Sequence, residues 1–261
     1  MKIVVCIKQV PDTTEVKINP VTGTLIREGV PSIMNPDDKG GLEFALQLKD
    51  KYDAHVTVIT MGLPQADAIL REALAMGVDR AILLTDRKLG GADTLATSNA
   101  IAGALRTIDY DLIITGRQAI DGDTAQVGPQ IAEHLDLPQV SYLEDLQYDE
   151  AQKLLTVRKQ TEEGYEMLQM HTPALITVLA SAVKPRYMNV RGIVTAYDKE
   201  VEVWNADRIN VPEDRIGKVG SPTSVFKSFP KALKPAGETF EVSPEEAVDL
   251  IVNKLKEKHL I

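Results

Sequence analysis

Short apolar runs alternate with amphipathic segments along the first half of the chain. Four runs are rich in β-branched side chains and almost continuously apolar, at 2–7, 55–60, 81–85 and 111–115. Such runs are typical of strands buried on both faces of a parallel sheet. Between the second and third runs, apolar residues recur at helical spacing, at Ala66, Ile69, Leu70, Ala73 and Leu74. The alternation predicts an α/β fold built on a doubly wound, mostly parallel sheet.

Two further patterns interrupt or follow this alternation. On the first crossover, segments 16–18 and 24–27 flank the turn sequence at 19–23 and predict a β-hairpin. After Pro138, three segments alternate polar and apolar residues, at 141–147, 154–160 and 165–171. They predict an antiparallel meander, and segment 174–179 predicts one more strand after it.

The last part of the chain has little periodicity until its final helix. Ser243 and Glu246 form a capping-box pattern with Pro244 at the first helical position. The apolar stripe of this helix consists of Ala247, Leu250, Ile251 and Leu255. Because a long arm without a periodic pattern buries little of its own surface, we expect it to wrap another chain. The sequence therefore predicts an α/β domain at 1–184 with late antiparallel strands, followed by an arm at 185–261.

Composition limits the kinds of molecule this chain could bind and the cellular compartment in which we expect it. Twenty-nine Lys and Arg against 38 Asp and Glu give a net charge of −9, which disfavours nucleic acid and anionic membranes as partners. The single cysteine, Cys6, excludes an internal disulfide framework. The first residues lack the pattern of a secretory signal, and the longest apolar-leaning run, 173–183, is shorter than a bilayer span of about 20 residues. We expect a cytoplasmic protein with no membrane insertion.

In open α/β sheets, ligands bind beyond the carboxyl ends of the strands. Here the richest loop at that edge is 116–128, which has glycines at 116, 122 and 128 but matches neither the Rossmann nor the Walker pattern. In one interpretation, residues 124–127 open a helix whose amides face a phosphate. In the other, Asp123 caps this helix and Gln126 closes a capping box. The two interpretations compete for the same amides.

Two other loops at this edge begin helices. Asn35 suits an N-cap position and Pro36 the first helical position, and Asp37 and Asp38 complement the helix dipole. Because two carboxylates repel a phosphate, a ligand contact there would involve a sugar or a base. Segment 90–97 is another capped helix start, in which two threonine hydroxyls share one helix face.

Side-chain catalysis has no visible basis in the sequence. The four histidines are scattered without metal-ligand spacing, and there is no GxSxG motif. Cys6 lies within an apolar run and is interpreted as a small buried hydrophobe. We expect the chain to supply no acid, base, nucleophile or metal site, and a bound cofactor to carry any reaction.

Five segments, in order along the whole chain, match one family: 4–12, 34–36, 71–80, 116–121 and 184–187. They resemble the beta subunits of electron transfer flavoproteins, and the ALAMG-x-D-R and G-R-Q-A-I-D strings are specific. The resemblance implies an adenine-nucleotide-hydrolase-like fold and a heterodimer with an alpha subunit that holds an FAD. It makes 1–184 a nucleotide-binding domain, and 185–261 a recognition loop with an arm that wraps the partner subunit.

The resemblance also implies site residues. The nucleotide contacts carried over by motif are Cys6, Asn35, Pro36, Asp37, Asp38, Met61, Gly116, Arg117, Gln118, Ala119, Ile120, Asp121, Gly122, Asp123, Thr124, Ala125, Gln126 and Val127. This assignment favours the ligand over the cap for residues 124–127. The loop that would dock an acyl-CoA dehydrogenase consists of Arg186, Tyr187, Met188, Asn189, Val190 and Arg191, with Val190 at the anchor position.

The nucleotide itself is open within the family. The string Gly91-Ala92-Asp93-Thr94, with Thr97, resembles the bifurcating members, in which this subunit binds FAD and electrons from NADH pass to ferredoxin or flavodoxin and to an acyl-CoA dehydrogenase. Thr94 and Thr97 could hydrogen-bond the flavin ring, and Gly122 and Ala125 leave room beside a pyrophosphate. The alternative is a simple electron carrier with structural AMP in this subunit. A non-redox adenine-nucleotide-binding module is the third possibility.

Overall fold

The computed structural model describes residues 1–12, 31–226 and 237–261. The hairpin predicted within 16–27 lies outside the described residues. Two compact units are present, Met1–Lys227 and Ser228–Ile261. Among the described helices, none is long and apolar enough to cross a membrane.

A single nine-stranded sheet organises the first unit. Its strands are β1 (Lys2–Cys6), β4 (His55–Met61), β5 (Arg80–Leu84), β6 (Leu112–Gly116), β7 (Gln139–Asp149), β8 (Leu154–Thr161), β9 (Gly164–His171), β10 (Ala174–Val178) and β11 (Val201–Trp204). A separate antiparallel ribbon pairs β2 (Gln9–Pro11) with β3 (Ser32–Met34). The order is β11-β5-β4-β1-β6-β10-β7-β8-β9. From β11 to β7 all neighbours are parallel, and β7, β8 and β9 form the antiparallel meander. The predicted fold class and meander are confirmed.

Helices cover both faces of this sheet. The six α-helices of the described chain are α1 (Pro36–Tyr52), α2 (Asp67–Met76), α3 (Thr94–Leu105), α4 (Val127–His134), α5 (Val190–Thr195) and α6 (Pro244–Glu257). Successive residues of β1 point to opposite faces, so Val5 packs with α1 and α2 while Val4 packs with α3 and α4. Each buried strand therefore contributes to two hydrophobic cores, which is why its sequence is apolar without alternation.

The strand order places a topological switch point beside β1. From β1 the chain builds β4 and β5 on one side, and then crosses back through α3 to β6 on the other side. Because β4 and β6 lie on opposite sides of β1, we expect the loops that leave these strands to diverge and form a crevice at the carboxyl edge of the sheet. Crevices of this kind are where doubly wound folds bind ligands.

The first compact unit extends beyond residue 184. Strand β11 pairs in parallel with β5, and Trp204 is fully buried in the core between the sheet and α3. Ile209 and Ile216 belong to the same core. These apolar residues lie on a four-residue strand, on one short 3₁₀ helix and just after another, so no helical or strand period runs through them. The first unit therefore continues to Lys227.

The second unit contains the predicted final helix. Ser243 Oγ accepts a hydrogen bond from the Glu246 amide, and the Glu246 carboxylate accepts one from the Ser243 amide, so the capping box is present. Whether this unit wraps a partner subunit stays a prediction.

Candidate functional site

The crevice at the carboxyl edge is bordered by the loop between β6 and α4, residues 117–126, which we call the β6 loop. Its first half is fixed by side chains from other elements. Fully buried Asn35 donates from Nδ2 to the Gln118 carbonyl at 2.8 Å and accepts at Oδ1 from the Ile120 amide at 3.1 Å. Lys8 Nζ lies 2.6 Å from Asp121 Oδ1. These contacts pin the loop to the end of β1 and the start of α1.

Asn35 occupies the predicted N-cap position of α1, but its side chain does not cap the helix. The cap interpretation of this side chain was wrong, because both of its polar atoms are committed to the β6 loop. Pro36 does stand at the first helical position, as predicted.

Asp37 and Asp38 hold three strand ends together. Asp38 accepts from the Lys8 amide at 2.8 Å and the Gly116 amide at 3.0 Å. Asp37 accepts from the Ala180 amide at 2.8 Å and the Gln118 amide at 3.3 Å. Both side chains are buried. Every carboxyl oxygen of the pair therefore has a backbone donor, and the donors lie at or just beyond the carboxyl ends of β1, β6 and β10.

Burial raises the pKa of Asp38 to about 7, although hydrogen bonds from Asn35, Lys8 and Gly116 oppose the shift. The neighbouring Asp37 carboxylate adds a smaller rise in the pKa of Asp38. Arg117 Nε lies 3.4 Å from Asp37 Oδ2 and faces this pair. Burial, and to a lesser degree Asp38, also raises the pKa of Cys6 to about 12, so its thiol is neutral at pH 7. Cys6 is thus an inert packing residue, as its sequence context predicted.

The raised pKa of Asp38 predicts how stability depends on pH. Between the usual value of about 4 and about 7, the folded chain keeps a proton on Asp38 that the unfolded chain has released. The stability from this proton is complete below the unfolded pKa and is lost as pH rises through the folded pKa. Unfolding of wild type and Asp38→Asn in urea at pH 5 to 8 should show wild type losing stability relative to the variant, by up to about 1.4 kcal/mol per pH unit. Equal slopes for both proteins would contradict the assignment.

The second half of the β6 loop is arranged differently. Helix α4 begins at Val127, and its N-cap residue, Gln126, makes no side-chain cap. Asp123, in the left-handed region at φ 48°, accepts instead from Gln118 Nε2 at 2.9 Å. The predicted cap by Asp123 and the capping box with Gln126 are therefore wrong, and the helix starts later than residue 124.

With no cap present, the backbone amides that lead into α4 are left without partners. Within the described residues, the N–H groups of 124–128 donate to no protein acceptor. We call these five groups the amide row. Successive unpaired amides at a helix N-terminus attract an anion, because they offer donors and the positive end of the helix dipole. The amide row is therefore suited to a phosphate.

Glycines set the shape of the crevice in two ways. A Cβ on Gly116 would lie 2.2 Å from Asp38 Oδ1 and 2.7 Å from the Asp38 amide nitrogen, so only glycine fits there. A Cβ on Gly128 would lie 2.6 Å from Thr115 Oγ1, so glycine lets α4 approach β6 closely. A Cβ on Gly122 would meet nothing within 4 Å. Protein packing therefore does not require the glycine at 122.

The start of α3 forms another border of the crevice. Asp93 caps this helix through the Ala96 amide at 3.0 Å, as predicted. Thr94 Oγ1 donates to Gln126 Oε1 at 3.0 Å, which joins α3 to the β6 loop. Thr97 lies one turn later on α3 and is partly exposed, as is Thr94. Met61, at the end of β4, is also partly exposed.

Several residues of the site were missed by sequence reasoning. Lys8 pairs with Asp121, although it was noted only as part of a family motif. Ser221 Oγ accepts from the Asp93 amide at 2.8 Å, and Thr223 Oγ1 donates to Asp93 Oδ2 at 2.8 Å. No local signal marks Ser221 or Thr223, because about 130 residues separate them from their partner. In the part of the chain that the structure describes, no group of three or more His, Cys, Asp or Glu could hold a metal ion.

The chain is similar to known proteins over its whole length. Residues 22–209 match the model of the electron transfer flavoprotein domain. The chain belongs to the electron transfer flavoprotein family, among its beta subunits. It is 58% identical to the electron transfer flavoprotein subunit beta of Clostridium acetobutylicum, over the full length of both chains. It is also similar to subunit CarD of the caffeyl-CoA reductase-Etf complex of Acetobacterium woodii, at 50%, and to the acryloyl-CoA reductase electron transfer subunit gamma of Anaerotignum propionicum, at 45%, again over full lengths.

The segment 186–191 of this electron transfer flavoprotein chain combines a fixed base with an exposed tip. Arg186 pairs with Glu43 at 2.9 Å and Asp50 at 2.8 Å, and these hydrogen bonds hold the pKa of Arg186 above its usual value. Asn189 caps α5 through the Gly192 amide. Tyr187 and Val190 are 87% and 80% exposed. Arg186 therefore fixes the base of the segment to α1, and the exposed side chains of Tyr187 and Val190 form an apolar tip that another molecule could contact.

Proposed function

We propose that this chain is the FAD-binding, electron-transferring subunit of a complex that passes electrons between NADH, ferredoxin or flavodoxin, and an acyl-CoA dehydrogenase by flavin-based electron bifurcation. The observation that carries the proposal is the amide row beside the uncapped start of α4. Family membership makes a nucleotide the expected occupant, and the crevice lies where a doubly wound sheet binds one.

The residues present fit a nucleotide with two phosphates. Five unpaired amides supply more donors than one phosphate needs. The carboxylates of Asp37 and Asp38, which would repel an anion, are buried and engaged with backbone donors. Open space at Gly122 would accept part of the ligand without steric conflict. The hydroxyls of Thr94 and Thr97 on α3, which contacts the β6 loop through Thr94, support FAD over AMP. FAD has a flavin ring beyond its phosphates that these hydroxyls would hydrogen-bond, and AMP has no such ring.

When bound, FAD would supply the electron-carrying ring, and the chain's residues would bind, orient and shield it. The amide row would hold the phosphates, and Thr94 and Thr97 would hydrogen-bond the ring. The neutral thiol of Cys6 and the buried strand ends would exclude water from the base of the crevice. Under this proposal no side chain transfers a proton or forms a covalent bond.

The proposal includes the partners. An alpha subunit that holds a second FAD would form the heterodimer, with the unit Ser228–Ile261 contributing to the contact. The exposed tip at 187–190 would dock an acyl-CoA dehydrogenase, and the names of the two CoA-reductase relatives support a partner of this class. We place the complex in the cytoplasm.

Nucleotide content tests the proposal. The complex purified with its partner subunit should release two FAD per pair of chains on denaturation, measured by chromatography with absorbance detection. One FAD and one AMP would instead support a simple electron carrier with structural AMP. A stable isolated chain that binds adenine nucleotides, with no flavin in any complex, would support the non-redox module.

A further inference from the structure

We propose that Asp38 is a positioning residue for the nucleotide: it joins the backbones that leave β1 and β6 and thereby fixes the amide row in its binding position, without contacting the nucleotide itself. The inference rests on the proposed function, since it concerns the same site. It assigns to Asp38 a role different from the ligand contact that the family resemblance implies.

The place of Asp38 relative to the sheet supports this role. The ladder between β1 and β6 ends at the pair Cys6 and Thr115. The amides of Lys8 and Gly116 lie beyond this last pair of the ladder. Asp38 accepts from both, at 2.8 Å and 3.0 Å. One carboxylate therefore continues the link between the strands past the point where the ladder stops.

The link is connected directly to the amide row. Gly116 is the last residue of β6, and the β6 loop that follows it leads to residues 124–128. The Gly116 backbone packs so closely on Asp38 that no Cβ fits between them. Asp37, on the same helix turn, holds the Gln118 amide of this loop and the Ala180 amide after β10. A shift of Asp38 would therefore move the start of the loop.

A carboxyl group suits this geometry because it has two oxygens and no NH₂ group. Two backbone donors approach the two oxygens of Asp38 separately, and an amide side chain would present its own NH₂ to one of them. The buried donor facing that NH₂ would lose its acceptor, which is costly. Direct contact with the ligand is disfavoured because Asp38 is buried and both of its oxygens accept hydrogen bonds from backbone amides.

The chain offers a matched control at the opposite edge of the sheet. Asp111 Oδ2 accepts from the Lys2 amide at 2.7 Å, so it joins the same two strands, β1 and β6, at their amino ends. Asp111→Asn removes a carboxylate link between the same strands, but far from the crevice loops. Any effect on nucleotide binding through general loosening of the sheet appears in both variants.

The test measures how tightly the full chain binds FAD and AMP, as two dissociation constants. Where the chain purifies together with its partner subunit, the complex is used. Asp38→Asn should raise the dissociation constants by about 10-fold or more, and Asp111→Asn by less than about 3-fold. The unfolding temperature of each variant is also measured, so that its loss of binding can be compared with its loss of stability. Visible circular dichroism of the bound flavin should change only in Asp38→Asn, because the ring environment moves with the loop. Should Asp38→Asn fail to fold, Asp38→Ser carries the same test, since its hydroxyl accepts one amide and leaves space for water.

The outcomes separate this inference from the function on which it rests. Wild type that binds neither FAD nor AMP would overturn the proposed function and the inference together. Wild type that binds, with Asp38→Asn binding equally well, would overturn the positioning role alone. Equal weakening in Asp38→Asn and Asp111→Asn, in proportion to their loss of stability, would make Asp38 a purely structural residue.

Discussion

Replacement of Trp204 by alanine should lower the free energy of unfolding by about 3–5 kcal/mol. Trp204 is 1% exposed on the edge strand β11, in the core that includes Ile82 and Leu84. The guanidinium of Arg208 lies 4.0 Å from the centre of its ring, and the indole Nε1 donates to Glu202 at 3.1 Å. Removal of the ring leaves a large cavity and takes away these contacts as well.

Urea unfolding followed by circular dichroism measures this loss. Val203→Ala is the matched control, since Val203 is the neighbouring residue of the same strand and is 66% exposed. We expect it to change the free energy of unfolding by less than about 1 kcal/mol. A small effect of Trp204→Ala would mean that β11 is not part of the core, and that the unit ends nearer residue 184, as the sequence pattern alone suggested.

Gly116→Ala should destabilise the fold by about 3 kcal/mol and abolish nucleotide binding. Its Cβ would stand 2.2 Å from Asp38 Oδ1 and 2.7 Å from a backbone nitrogen of α1, and neither α1 nor β6 can move away within a packed core. Relief of the clash would separate β6 from α1, which breaks the bond between the Gly116 amide and Asp38.

The control for this substitution lies in the same loop. A Cβ on Gly122 meets nothing within 4 Å, so Gly122→Ala should change stability by less than about 0.5 kcal/mol. Thermal unfolding and nucleotide titration of both variants provide the comparison. Equal losses in the two variants would show that the effect comes from loop entropy, and not from the contact with Asp38.

Much of the architecture could be predicted from local pattern. The apolar runs near 2–7, 55–60, 81–85 and 111–115 became β1, β4, β5 and β6 with small shifts at their ends. A strand buried on both faces must be apolar throughout, and that signal is local. The final capping box was also predicted, since its residues are three apart and bond to one another.

Helix starts in the crevice were less predictable. Asn35 and Asp123 have the residue types of N-caps, but both side chains bond elsewhere, to the β6 loop and to Gln118 respectively. The sequence shows that the side chains of Asn35 and Asp123 can accept a hydrogen bond. Which donor they meet depends on the strands and loops that the fold brings beside them.

The sequence by itself determined the fold class and the family, and it predicted the edge of the sheet for a ligand and the loop that contains the amide row. These follow from residue patterns within a few positions of one another. Only the tertiary structure decided that Asp37 and Asp38 face backbone amides, that the amides of 124–128 find no acceptor among the described residues, and that Trp204 completes the core. The reason is physical: a buried polar group is satisfied by whatever lies closest in space, and these partners are 30 to 143 residues away along the chain.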